Sequence, residues 1–90
     1  MDQESNYRVS AHAEGQIKRR GLTREIIFDV LNRPDQMIEL GISEIAYQKI
    51  IFFSKENKDY LVRVIISIAK QPNLIITAYK TSKISKYYES

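Results

Sequence analysis

At Asp35 the hydrophobic period of the chain changes from 3.6 to 2, and this switch limits the fold more than any other feature. Upstream, apolar residues recur at helical spacing. Downstream, runs rich in β-branched and aromatic residues are separated by Gly41, Glu56-Asn57-Lys58-Asp59 and Gln71-Pro72-Asn73. Short connections between such runs join antiparallel neighbours. The order α-α-β-β-β-β predicts an α+β fold, two N-terminal helices packed on one face of a four-stranded antiparallel sheet.

Ser10 is a suitable N-cap for a helix over residues 11–20, which Gly21 ends at its C′ position. Its apolar side is thin: Ala13 and Ile17 share a face, while His12, Gln16 and Arg20 lie on an adjoining stripe within roughly 80° of arc. Thr23 caps a second helix, with Glu25 in its first turn where the helix dipole favours an anion. Ile26, Ile27, Val30 and Leu31 form its buried face, and Asn32-Arg33-Pro34 stops it. Tyr7-Arg8-Val9 reads as a short extended piece. Strands are expected over residues 36–40, 44–54, 60–69 and 74–82, with residues 84–90 a last helical turn or a flexible end.

Alternation assigns the sheet faces. Tyr60, Val62, Val64, Ile66 and Ile68 should meet the helices, together with Leu74, Ile76 and Ala78. Leu61, Arg63, Ile65, Ile75, Thr77, Tyr79 and Thr81 should then point away, joined by Tyr47. That second face is more apolar than a bare sheet surface should be, and it combines aromatic residues with an arginine, the composition of a binding surface. Its duller explanations are a dimer contact or a tail folded back over the sheet. The run Ile50-Ile51-Phe52-Phe53 gives no clean alternation.

Size and composition restrict function. Ninety residues make a single domain, 1–90, whose first six residues are expected to be flexible. The absence of cysteine removes thiolate chemistry and zinc–thiolate sites, and one histidine disfavours a transition-metal centre. No apolar run approaches the ~20 residues that cross a bilayer, and the polar start Met1-Asp2-Gln3-Glu4-Ser5 has no signal-peptide core. The expectation is a cytoplasmic domain with no cofactor and no metal. Residues 1–45 carry six basic and eight acidic side chains, residues 46–90 eight basic and three acidic, so the strand half holds a balance of +5. Such a half favours anionic partners.

No phosphate-binding loop, HExxH or GxSxG motif occurs. What remains is a set suited to cleaving RNA without a metal: His12, Lys18, Arg19, Arg20, Arg63, Tyr79, Lys80, Thr81, Lys83, Lys86 and Tyr87. That reaction needs a proton taken from the 2′-hydroxyl, positive partners for the phosphorane and a proton for the leaving 5′-oxygen. Arg63 can clamp a phosphate through two parallel hydrogen bonds. His12 suits acid or base work near neutral pH, and Tyr79 or Tyr87 can stack on a base or supply a proton. Each has a structural alternative. His12 packs beside Tyr7 or bonds a carbonyl; Lys18 and Arg19 offset a helix dipole; Arg63 pairs with Glu39 or Glu44.

The segments Ser10-Ala11-His12-Ala13, Lys18, Arg20-Gly21-Leu22, Asn32-Arg33-Pro34-Asp35, Tyr60-Leu61-Val62-Arg63-Val64 and Thr77-Ala78-Tyr79-Lys80-Thr81-Ser82-Lys83-Ile84 form an ordered set. It is similar to a bacterial domain-of-unknown-function family grouped with the BrnT and RelE/ParE-like toxins. The resemblance spans roughly residues 7–88 and departs at Gln16, where relatives tend to carry a basic residue. It implies a toxin of a type II toxin–antitoxin system, a metal-independent endoribonuclease acting on mRNA, with an antitoxin protein as partner. The positions it carries over are His12, Arg20, Arg63, Tyr79 and Lys83. The expected catalytic residues are therefore Arg63, Tyr79 and His12, with Arg20, Lys80, Lys83, Lys86 and Tyr87 contacting RNA. The alternative is a non-catalytic interaction module, a homodimer through the open sheet face or a gyrase-directed toxin-like domain.

Overall fold

A computed structural model describes residues 7–89 of the chain. The leading segment expected to be flexible lies outside the described residues. The chain opens with a short strand, β1 (Tyr7–Val9), and two hydroxyl caps then start the helices where the sequence places them. Ser10 Oγ accepts the Ala13 N–H at 3.0 Å to begin α1 (Ala11–Arg19), and Thr23 Oγ1 accepts the Ile26 N–H at 3.1 Å to begin α2 (Arg24–Asn32). Gly21 turns the chain between them at φ +69°, a conformation glycine adopts without steric cost. Four strands follow, β2 (Gln36–Glu39), β3 (Glu44–Phe53), β4 (Lys58–Ser67) and β5 (Asn73–Thr81), then a four-residue helix, α3 (Ile84–Tyr87). Among the described residues no helix is long and apolar enough to cross a membrane.

The sheet order is β1-β5-β4-β3-β2. Strands β2 to β5 pair antiparallel, but β1 lies parallel to β5, with Tyr7 opposite Asn73 and Val9 opposite Ile75. The expected four-stranded antiparallel sheet is therefore corrected to a five-stranded mixed one. Three residues are too few to display an alternation, and what orders β1 is non-local. The Ser10 N–H donates to the Ile75 carbonyl at 3.0 Å, and Tyr7 meets Phe28 of α2 edge-on with 6.1 Å between ring centroids. Beyond the end of β1, α1 takes over the outer edge of β5: Gln16 Oε1 accepts the Ala78 N–H at 3.0 Å.

Ala13, Leu22, Ile27, Phe28, Val30 and Leu31 from the helical half pack on Val62, Val64, Ile66, Ile75 and Ala78. The alternation read from β4 holds over Val62–Ile66. In β5 it fails at an irregularity: Ile65 pairs with Thr77, yet the next residue, Ile66, pairs with Ile75, so Ile76 is an extra residue. The insertion turns Ile75 into the core, where it was expected to point outward, and sets Leu74 opposite Ser67. Tyr47, expected on the far face, packs with Ile45, Ile51 and Phe53 toward the helices. Ile68 lies past the end of β4 and is exposed rather than buried.

Candidate anion-binding site

Gln36, Gln48, Arg63 and Tyr79 are successive register partners across β2, β3, β4 and β5. Because residues in register share a face, they form one polar rung on the side of the sheet away from α1 and α2. Arg63 Nε donates to Gln48 Oε1 at 2.9 Å, and Nη1 donates to the Tyr79 hydroxyl at 2.7 Å. Gln48 is fully buried and Arg63 is 7% exposed. The alternative weighed for Arg63, an ion pair with Glu39 or Glu44, does not form; both residues are exposed, and among the described residues no carboxylate pairs with this guanidinium. A buried cation held only by neutral dipoles and rings is costly, so its location carries an unspent positive potential. Leu61 and Ala46 are fully buried on the same face.

The face expected to be open is covered by the chain's own tail. Tyr87 of α3 lays its ring over the guanidinium, 4.5 Å from Cζ to centroid, and meets the Tyr79 ring edge-on at 6.5 Å. Gln48 Nε2 donates to Gln36 Oε1 at 2.7 Å and to the Tyr87 carbonyl at 3.2 Å. Gln36 Oε1 accepts the Glu89 N–H at 3.0 Å, and Gln36 Nε2 donates to the Glu89 carbonyl. Lys83 and Lys86 flank this tail with exposed side chains, Lys86 Nζ lying 5.4 Å from the Tyr87 ring centroid.

Arg63, Tyr79 and Tyr87 are thus brought together, with Lys86 beside Tyr87. The remaining candidates are elsewhere. His12 is exposed on α1, in the helix layer across the sheet from Arg63. Arg20 and Lys80 share a cleft of about 270 Å³ at the helix side, lined also by Gly21, Phe53, Ser54, Lys55 and Glu56. Lys80 is engaged there: its Nζ lies 2.7 Å from Glu56 Oε2 and sits over the Phe53 and Tyr60 rings at 4.1 and 4.6 Å. The hydrogen bond from Lys80 holds the Glu56 carboxyl below the usual carboxylate range. Gln36 and Gln48 were not among the expected site residues. Their signal was faint: Gln48 is an uncharged amide within a largely apolar strand, and Gln36 is the first residue of a short one.

A protein-family model described as Domain of unknown function (DUF4258) matches residues 9–80, a stretch that includes Gln36, Gln48, Arg63 and Tyr79. No curated protein and no solved structure matches the chain.

Proposed function

This chain belongs to the DUF4258 domain family, and within it we propose an RNA-directed role: the Arg63 rung holds the backbone of single-stranded RNA and cleaves it without a metal. The observation that carries this reading is the buried guanidinium with no carboxylate partner among the described residues. A phosphodiester supplies the missing negative charge, and the developing phosphorane supplies more, which is where a preorganised cation acts. Tyr79 accepts a hydrogen bond from Arg63, so its own proton is left to point at the leaving 5′-oxygen. His12 lies on α1, in the helix layer, and takes no part in the site; as the 2′-oxygen bonds to phosphorus its proton passes to water, and the P–O5′ bond breaks as Tyr79 gives its proton to the leaving 5′-oxygen. The resemblance to BrnT and RelE-like toxins supports the same reading, with an antitoxin protein as the partner that silences it. The test is incubation of the protein with mRNA in the presence of EDTA. Cleavage is expected to persist with the chelator and to fall by ~100-fold in Arg63→Lys, which keeps the charge but loses the fork. Intact RNA with the native chain would remove the reading.

A second reading, a non-catalytic protein-interaction module, is favoured by a different observation. Strand β2 is a sheet edge, and Met37, Leu40 and Ile42 on and beside it are exposed. A homodimer or complex built there is broken by Leu40→Lys, which a measurement of solution mass would show.

A further inference from the structure

We propose that the tail, residues 83–89, is a built-in competitor for the Arg63 site: it and an RNA strand occupy the same groove, so the isolated chain holds its site closed. This rests on the RNA-directed reading above and adds to it how access is controlled.

The occupancy is visible atom by atom. Arg63 spends Nε on Gln48 and Nη1 on Tyr79, and its exposed plane is roofed by the Tyr87 ring. The amides of Gln48 and Gln36 are spent on the backbone of Tyr87, which ends α3, and of Glu89 just beyond it. No ligand reaches the guanidinium until that segment leaves.

The hold on the tail is slight. Helix α3 has four residues, no side-chain cap and no buried residue, and a helix that short has no stability of its own. It is kept by three backbone–amide hydrogen bonds, the Tyr87 ring over Arg63 and the edge-on contact of that ring with Tyr79, the kind of attachment that opens locally without unfolding the rest. The exchange also has a direction. The tail offers Arg63 only the face of a neutral ring, whereas a phosphodiester offers a full negative charge and two oxygens in the geometry of the guanidinium fork. What the tail has in its favour is the tether, which keeps it at high effective concentration over the groove.

The experiment compares binding of a fluorescein-labelled single-stranded RNA oligonucleotide of mixed sequence to the full chain and to a chain ending at Ser82. Because Leu61 lies buried on the same face, the shortened chain risks losing its fold. A full-length Tyr87→Ala/Glu89→Pro variant, lacking the roof and the Glu89 N–H, is therefore measured beside it, each checked by circular dichroism. Loss of the tail is expected to tighten RNA binding at least about tenfold in either form, the advantage a tethered competitor confers. Arg63→Gln in the shortened chain should cancel the gain, and a synthetic peptide of residues 83–90 should reverse it. Equal, Arg63-dependent binding with and without the tail would overturn the competition and leave the RNA-directed reading standing. No binding by any folded form would overturn both.

Discussion

Gln48 is the residue on which the site depends. Its side chain turns one face to Arg63 and the other to Gln36 and the tail, so a single amide orients the guanidinium and meets the segment above it. Removing it leaves Arg63 Nε buried without an acceptor, and Gln48→Leu is expected to destabilise the chain by about 1–3 kcal/mol in urea unfolding. The double change Arg63→Met/Gln48→Leu removes donor and acceptor together and is expected to be at least as stable as the native chain, since replacing a buried charge by apolar groups is often neutral or favourable. A double variant less stable than Gln48→Leu would mean that the rung is structural rather than functional. On the opposite face, burial first and the neighbouring Tyr47 second push the Tyr7 phenol up to about 12. Its proton is bound more tightly in the folded chain, so the stability it contributes is complete below the ordinary value of 10.0 and is lost as pH rises from there toward about 12. Urea unfolding at pH 9 and pH 11, values about a unit either side of that onset, should show a fall that is smaller in Tyr7→Phe.

Among the elements, those with a long local pattern were legible and those set by distant contacts were not. Strand β4 has ten residues, and its even positions over Val62–Ile66 do face the helices. Strand β1 has three, and what makes it a strand is pairing with Asn73, Leu74 and Ile75, far along the chain, helped by the contact of Tyr7 with Phe28. The extra residue at Ile76 has no sequence signature either, because Leu74, Ile75 and Ile76 are alike in polarity, and it reversed the expected orientation of Ile75. Gln16 illustrates the same point more sharply. In the sequence it stood out only as a departure where relatives tend to carry a basic residue; in the fold it closes the open edge of β5 by accepting the Ala78 N–H. A lysine cannot accept that bond, so Gln16→Lys is expected to cost about 1–3 kcal/mol, read as a lower urea midpoint. An unchanged midpoint would show that the edge is satisfied another way.

Taken as a whole molecule, the chain divides its cations between two sides of the sheet. Arg20, Lys55 and Lys80 gather at the helix-side cleft, where Glu56 already answers Lys80, while Arg63 stands on the other side beneath the tail, which itself carries Lys83 and Lys86. The sequence could reveal the excess of charge in the strand half and the placement of Arg63 and Tyr79 on one face of the sheet, because both follow from composition and alternation. It could not reveal the cover, because α3 is held by side-chain amides and a ring rather than by any pattern of its own. The functional account therefore stands on Arg63 as an anion site beneath a removable segment. Its most direct measurement is the side-chain Nε–H resonance of Arg63, followed by NMR while single-stranded RNA is titrated into the chain ending at Ser82. The account predicts a saturable shift of that one resonance that weakens as salt is raised. A resonance that stays in place while the protein remains folded and RNA binds elsewhere would contradict it.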